Sequence, residues 1–366
     1  MTSVVVVGGG LAGLTAAFRL RQRVDVTLLE LAPRLGGQIH TELSDGYVVE
    51  RGAEGFVARS QALPALARDL GMLADELIGQ SVMRSYGFDG QRLLALEPGE
   101  AASFLGFQVP PDDLGKGIRS FRHGMGSLIA ALEAQLREAS SLRTGVRVRA
   151  LEAGSSGVRV VLDDGSALAA DAAIVATSAA AAADVLAPVA GAAADELRAA
   201  PTLSSVTVEL AFERAAIAHA LDGTGFVVAP DQQSEGLRAC TFTSSKFVGR
   251  APEGSVSLRA FFRPSPEQLA SDSDEEYVAR ALRCLRRVLP VHGEPLRVWI
   301  SRWANALPVF SDAQRARVAA LETALAPYPI QLAGSAFHGS GIDVAVSSGE
   351  RAAARCGAPR EASGCA

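Results

Sequence analysis

The run "SVVVVGGGLAGLTAAFRL" at residues 3–20 constrains the fold more than any other part of this chain. Four consecutive valines without polar alternation predict a parallel strand buried on both faces. "LAGLTAAFRLRQR" follows with helical periodicity, and "VDVTLLE" predicts a second buried strand. Together they make a strand–helix–strand unit. Gly8, Gly10 and Gly13 form G-x-G-x-x-G at the first junction. In that pattern the first glycine makes a tight turn, the second admits a pyrophosphate, and the third lets helix pack on strand. The helix start adds unpaired N–H groups that suit phosphate. Glu30 ends the second strand, where a carboxylate can accept both ribose hydroxyls and would repel a 2′-phosphate. Strand, helix, spacing and acid agree on a dinucleotide site over Gly8, Gly9, Gly10, Leu11, Ala12 and Gly13.

Composition narrows the remaining classes. The chain has 366 residues, 48% of them apolar and 20% charged, which suits a folded protein with a large core. A net charge of −5 argues against a nucleic-acid partner. Nearly all cations are arginine; Lys116 and Lys246 are the two lysines. Cys240, Cys284, Cys356 and Cys365 lie far apart without metal-ligand spacing, so free thiols in a reducing cytoplasm are expected, and no metal. The N-terminus has an apolar centre like a secretory signal but lacks its basic flank. The Ala-rich run 172–183 is too short for a bilayer, so no transmembrane segment is expected.

Further along, residues 144–177 predict three strands separated by Gly/Ser and Asp-Gly turns, the last of them fully buried. Val206 to Phe262 is strand-rich again. "SDEEYVARALRCLRRVL" predicts a helix with acids first and arginines last, the order the macrodipole favours. "PLRVWISRW" predicts a strand pair or turn, and "DAQRARVAALETALA" a helix. Strand "IQLAGSAF", a glycine turn "HGSGID" and helix "VAVSSGERAAARC" close the chain, with a flexible tail at 357–366.

The glycine triad alone leaves FAD and NAD both open. Directly after Glu30, however, Arg34, Gly36 and Gly37 form R-x-G-G, which could bring backbone and a guanidinium to the same pyrophosphate. With "LAGSAFHGSGIDVAVSSGERAA" at the other end, this combination resembles the FAD-dependent amine oxidase superfamily. "LRACTFTSSKFVGRAPEGSVSLRAFF" and "SRWANALPVFSDAQRARVAALETALA" narrow the resemblance to oxygen-dependent protoporphyrinogen and coproporphyrinogen oxidases. It covers most of residues 1–95 and 118–356.

The resemblance implies an α/β fold: a Rossmann-like FAD-binding domain with a mixed or antiparallel-sheet substrate domain, as in amine oxidases. The FAD-binding domain would comprise residues 1–83, 118–200 and 311–356, and the substrate domain 201–310. Residues 84–117 would hold a substrate-side strand and a shortened remnant of the family's helical, membrane-contacting domain. FAD contacts would fall on the Gly8–Gly13 turn, Glu30, Arg34, Gly36, Gly37 and Gln38. Others would be Gly52, Ala53, Glu54 and Gly55 of "GAEG", Val148 at the adenine, and Ser335, Ser340, Gly341 and Ile342 at the ring. Arg84 in "RSYGFDG" takes the position of an arginine that grips a substrate propionate, for which a planar fork is suited. Near Thr224 the family often carries an aromatic ring against the tetrapyrrole. Between the Asp89-Gly90 turn and "GMGSLIAALEAQL" the family's long helical insertion is reduced to "EPGEAASFLGFQVPPDDLGKGIRSFRH".

In such a site flavin N5 takes the hydride and the protein supplies orientation and a dry pocket. No catalytic side chain is implied, which fits the lack of a Ser/His/Asp or Cys/His constellation. His338 lies near the expected ring edge; without a placed partner its role is structural or solvent-facing. Three readings follow: a porphyrinogen oxidase of heme biosynthesis using oxygen, with only weak membrane association; an FAD oxidase or desaturase of the same ancestry with a smaller substrate; or a non-catalytic flavin-binding paralogue. Sequence leaves the oligomeric state open.

Overall fold

The computed structural model describes residues 2–106, 110–154, 156–233 and 235–357. Its central sheet is five-stranded and wholly parallel, in the spatial order Ile330–Leu332, Ala172–Val175, β1 (Ser3–Val7), β2 (Asp25–Leu29), Ser141–Arg143. Helix α1 (Leu11–Leu20) crosses between β1 and β2. The valines of β1 serve two cores at once. Val4 and Val6 join α1, the helix Gly126–Ala139 and the C-terminal helix Ile342–Gly357. Val5 and Val7 join the Ala-rich helix Ala179–Ala190 and a three-stranded antiparallel sheet. Full burial of each such side chain contributes roughly 1.5–3 kcal/mol, which is why an uninterrupted apolar run is the signature of this strand type.

A seven-stranded mixed sheet forms the other half. Its order is Arg297–Pro308, Thr202–Glu213, Ser255–Phe262, Leu237–Phe242, Gly225–Val228, Ser85–Phe88, Leu93–Leu96. All neighbours are antiparallel except Gly225–Val228 and Ser85–Phe88, which run parallel. One face packs on the helix Asp274–Val288 through Tyr277, Ala281 and Leu285. That helix carries a capping box between Ser273 and Glu276.

Several expected elements differ in detail. The three strands expected over 144–177 are four, because the last divides at Asp171. Ala167–Ala170 stays in the antiparallel sheet, while Ala172–Val175 enters the parallel one. Asp171 fixes the division: its carboxylate accepts from Ser3 N–H at 2.7 Å and Ser3 O–H at 2.9 Å, drawing the chain to β1. "PLRVWISRW" is neither a strand pair nor a turn. It belongs to one long strand, Arg297–Pro308, with a register shift opposite Leu203–Ser205. The strand Ser141–Arg143 and the hairpin Thr41–Ser44/Tyr47–Glu50 carry no strong period and escaped the sequence pattern.

Among the described residues, the shortened insertion holds the single-turn helix Glu100–Phe104, a 3-10 turn Pro111–Asp113 and the short strand Arg119–Phe121. Asp113, farther along, is held between Arg59 at 2.9 Å and Lys116 at 2.8 Å. Residues 107–109 within this segment, and the expected tail beyond Gly357 with Cys365, lie outside the described residues. Cys240, Cys284 and Cys356 are free thiols. Among the described residues no helix is long and apolar enough to cross a membrane.

Candidate functional site

The turn from β1 into α1 is crowded everywhere except where a ligand needs space. A Cβ on Gly8 would stand 2.5 Å from Ala176 O, and one on Gly13 would stand 2.0 Å from Gly8 O. Gly8 also has φ +107°, which favours glycine. A Cβ on Gly10 would meet nothing within 4 Å. Gly10 is the N-cap of α1, makes no side-chain cap, and no acid occupies the first turn. Leu14 N–H makes the first helical bond, to Gly10 O, so the N–H groups of Leu11, Ala12 and Gly13 have no intrahelical acceptor. An uncapped helix start facing open space fits an anionic pyrophosphate. The chain's own geometry therefore accommodates a dinucleotide.

Glu30 stands beside this turn. Its Oε2 accepts from Gly9 N–H at 2.6 Å and its Oε1 from Ala32 N–H at 2.7 Å. A carboxylate has about four acceptor positions, so both oxygens retain capacity for ribose hydroxyls. Val146 N–H donates to Glu30 O at 2.9 Å, which brings Val148 to the same end of the sheet. The loop after β2 meets the glycine turn through backbone: Gly36 N–H donates to Gly9 O at 2.8 Å, and a Cβ on Gly37 would lie 3.1 Å from Gly10 Cα. Arg34 is tied into this loop by its own side chain. Its guanidinium donates to Leu35 O, Ile39 O and Gly37 O at 3.1, 3.2 and 2.8 Å, so it shapes the loop. Gln38 Nε2 donates to Ala306 O at 2.6 Å, tying the loop to the seven-stranded sheet.

Residues 52–55 form the next wall. A Cβ on Gly52 would sit 1.8 Å from Gln38 O and one on Gly55 2.5 Å from Arg119 O, so this strip is pressed between two backbones. Ala53 N–H donates to Gln38 O at 3.2 Å. Glu54 turns toward the seven-stranded sheet, where its carboxylate pairs with Lys246 and lies 3.9 Å from Arg259. Burial pushes that carboxyl up, but the two cations outweigh it and hold its pKa below the ordinary value.

Sequence reading missed the group behind this strip. Glu209 and Arg259 are directly paired across neighbouring strands, and Thr207 and Ser257 share their face. All four are buried, as are Glu50, Lys246 and Arg250. The signal was available: polar residues recur at every second position of two strands whose alternate positions are apolar. A sheet face like that opposes polar chemistry rather than a core. Glu209 is pushed up to about 7, chiefly by burial, with Arg259 opposing and Glu54 and Glu50 reinforcing.

The chain's two ends meet at the central sheet. Strand Ile330–Leu332 pairs with Ala172–Val175, and the C-terminal helix crosses α1 so closely that a Cβ on Gly349 would lie 2.3 Å from Ala12 O. Gly334 N–H donates to Ser348 Oγ at 2.8 Å, which anchors the turn leading into Ser335. Ser335 opens a single helical turn, Ser335–His338, in place of part of the expected strand and glycine turn. Ser340 and Gly341 then precede Ile342, the first residue of the C-terminal helix, and a Cβ on Gly341 would meet nothing within 4 Å. His338 Nε2 lies 3.1 Å from Glu322 Oε1, a partner on the neighbouring helix Asp312–Leu325, which gives it a structural contact.

Arg84 and Thr224 come together at the far side of the seven-stranded sheet. Thr224 N–H donates to Arg84 O at 2.7 Å, and the hydroxyls of Thr224 and Ser85 lie 2.8 Å apart. The Arg84 guanidinium is exposed and holds Asp222 at 2.6 Å. Ser81 N–H, three residues earlier, donates to Lys246 O at 2.8 Å, so one continuous strip links this corner to the wall at 52–55.

Comparison with known proteins gives a consistent picture. The sequence model of flavin containing amine oxidoreductases matches residues 76–357, and that of NAD(P)-binding Rossmann-like domains matches residues 6–70. The coproporphyrinogen III oxidase of Mycobacterium bovis is 30% identical, with 96% of each chain covered. That of Bacillus subtilis is 25% identical, covering 95% of this chain and 96% of the relative. The latter alignment extends over 458 residues although this chain has 366, so the relative carries segments without counterpart here. The crystal structure of an Exiguobacterium sp. 255-15 protein assigned as a protoporphyrinogen oxidase superposes with a TM-score of 0.83 at 24% identity, over 97% of this chain and 98% of the other. Putrescine oxidase bound to putrescine superposes with a TM-score of 0.71 at 17% identity, over 96% and 98%.

Proposed function

Because this chain belongs to the flavin-containing amine oxidoreductase family and is an FAD-dependent oxidoreductase, we propose that it oxidises a porphyrinogen, with molecular oxygen as the final acceptor. The observation that carries this reading is the likeness to coproporphyrinogen III oxidases, which extends through 96% of both chains rather than through the nucleotide-binding half alone. Coproporphyrinogen III is accordingly the first substrate to test. Bound FAD supplies hydride acceptance, which no side chain can provide.

The protein's own contribution is placement and exclusion of water. The open space at Gly10 and the free N–H groups of α1 would hold the pyrophosphate, and Glu30 the ribose. Arg34 would serve indirectly, by shaping the loop that carries Gly36 and Gly37. The strip 52–55 and the C-terminal turn at Ser340–Ile342 would enclose the ring. Arg84 would engage a substrate carboxylate from the rim. No side-chain base is required, because pyrrole nitrogens of the substrate release their own protons.

A second reading rests on the shortened insertion. In the segment the resemblance marks as shortened, this chain has the single-turn helix Glu100–Phe104 against Gly225–Val228 and Ser85–Phe88. A smaller wall suits a smaller substrate, because flavin chemistry needs a site screened from solvent. Aerobic mixing with coproporphyrinogen III and protoporphyrinogen IX separates the two: growth of porphyrin fluorescence above the spontaneous rate is expected. Bound FAD without such growth would favour the smaller-substrate reading or a non-catalytic flavoprotein.

A further inference from the structure

Three acids and three bases cluster between the two halves of the molecule: Glu50, Glu209, Lys246, Arg250 and Arg259, all buried, and the part-buried Glu54. Their bonds converge on one strip of backbone. Lys246, flanking the seven-stranded sheet, pairs with the Glu54 carboxylate. Arg259 Nη2 donates to Gly52 O at 2.8 Å. Arg250 Nη2 donates to Ser120 Oγ at 2.6 Å, and Ser120 O–H donates in turn to Glu54 O at 2.7 Å. The other side of the strip is fixed by Gln38 O and Arg119 O, which leave no room for a Cβ at Gly52 or Gly55.

This arrangement is a poor way to stabilise a fold. Glu54 Oε2, Glu209 Oε2, Arg259 Nε and two nitrogens of Arg250 are buried without a hydrogen-bond partner. Buried ion pairs with unfilled valences are commonly outperformed by an apolar core of the same volume. What they do provide is a defined position for whatever they bind. Of the chain's two lysines, one stands at the centre of this group. Arg250 and Arg259 supply forks beside it, whereas Lys246 makes a single point contact with Glu54.

We propose that Lys246 and Arg259 are positioning residues, which act through Glu54 and Gly52 O to hold residues 52–55 as a rigid wall against the flavin ring. The inference rests on the placement of the ring given under Proposed function, and goes beyond it by assigning the residues that set the wall. Neither side chain need touch the cofactor.

The test compares Lys246→Met, Lys246→Arg and the double variant Glu54→Gln/Lys246→Met with the wild type. FAD affinity is measured by titration of apoprotein, and the band shape of bound flavin is recorded as a reporter of the ring's surroundings. Lys246→Met is expected to weaken FAD binding at least tenfold and alter the band shape, while Lys246→Arg recovers most of both. The double variant removes one acid and its paired base together, so neither Glu54 nor Lys246 is left facing a lost partner, and it is expected to fold even if Lys246→Met does not, and still to bind FAD at least tenfold more weakly. Wild-type affinity and band shape in the double variant would overturn the proposal alone. A wild-type protein that takes up no FAD would overturn the functional reading and this inference with it. A change in melting temperature with unaltered flavin binding would mark the cluster as structural, and would also refute the proposal.

Discussion

Arg84 donates to Asp222 Oδ2 at 2.6 Å, and the same carboxylate receives Tyr86 O–H on Oδ1 at 2.6 Å. In the proposed role of Arg84, Asp222 occupies the place a substrate carboxylate would take. Its position is imposed by the backbone, since Leu221 holds φ +53°, an unusual value for leucine. A propionate must displace Asp222 or share the fork with it. Asp222→Asn is therefore expected to lower KM for a carboxylate-bearing substrate by roughly threefold to tenfold, and Arg84→Ala to raise it by at least as much. Both side chains are about half-exposed, so stability should barely change. An Asp222→Asn variant with unchanged KM would remove this corner from the substrate site.

The glycines of the first turn separate a folding role from a binding role. Gly13→Ala would drive a methyl to 2.0 Å from Gly8 O, so a loss of roughly 1–3 kcal/mol or more in apoprotein stability is expected. Gly10→Ala meets nothing within 4 Å, and Gly10 has φ −71° and ψ 174°, which alanine adopts freely. That variant should melt like the wild type without cofactor, yet bind FAD at least about tenfold more weakly, a difference of about 1.4 kcal/mol. Urea unfolding of apoprotein and FAD titration read the two effects independently. Full FAD affinity in Gly10→Ala would mean the pyrophosphate lies elsewhere.

Glu30 joins the same two roles in one side chain. Glu30→Lys removes the acceptor for Gly9 N–H and Ala32 N–H and places a cation beside the ribose site. Flavin retained after gel filtration, read from the ratio of visible to ultraviolet absorbance, is expected to fall well below half of the wild-type value. Glu30→Gln keeps one oxygen and should fall between. Equal retention in all three proteins would refute the ribose assignment.

The parts legible in the sequence are those whose physics is local. The strand–helix–strand unit announces itself because β1 must be apolar on both faces and its turn must be glycine. The R-x-G-G loop was legible as a partner of that turn, since Gly36 and Gly37 touch Gly9 and Gly10 through backbone alone. Side-chain tasks were less accessible. Arg34, Gln38 and Glu54 also bond to neighbouring protein, and tertiary partners such as Ala306 O and Lys246 cannot be seen from adjacent residues. The division at Asp171 was hidden for the same reason: its cause, Ser3, lies 168 positions away.

Glu209 makes stability depend on pH in a direction opposite to that of an ordinary surface carboxylate. Burial, opposed by Arg259 and Ser257 and reinforced by Glu54 and Glu50, raises its pKa from 4.5 to about 7. Between those values the native state keeps a proton that the unfolded chain has already lost, so stability falls as pH rises through this window. Below about pH 4.5 the contribution is fully present, and above about pH 7 it is gone. The shift corresponds to on the order of 3 kcal/mol. Glu209→Gln keeps the shape and the hydrogen bond with Ser257 without titrating. Urea unfolding of apoprotein at pH 5, 6, 7 and 8 should show the wild type losing stability relative to Glu209→Gln, with most of the divergence complete by pH 7. Parallel curves for the two proteins would mean that Glu209 is ionised in the folded state throughout, and that the Arg259 guanidinium across the strand outweighs its burial.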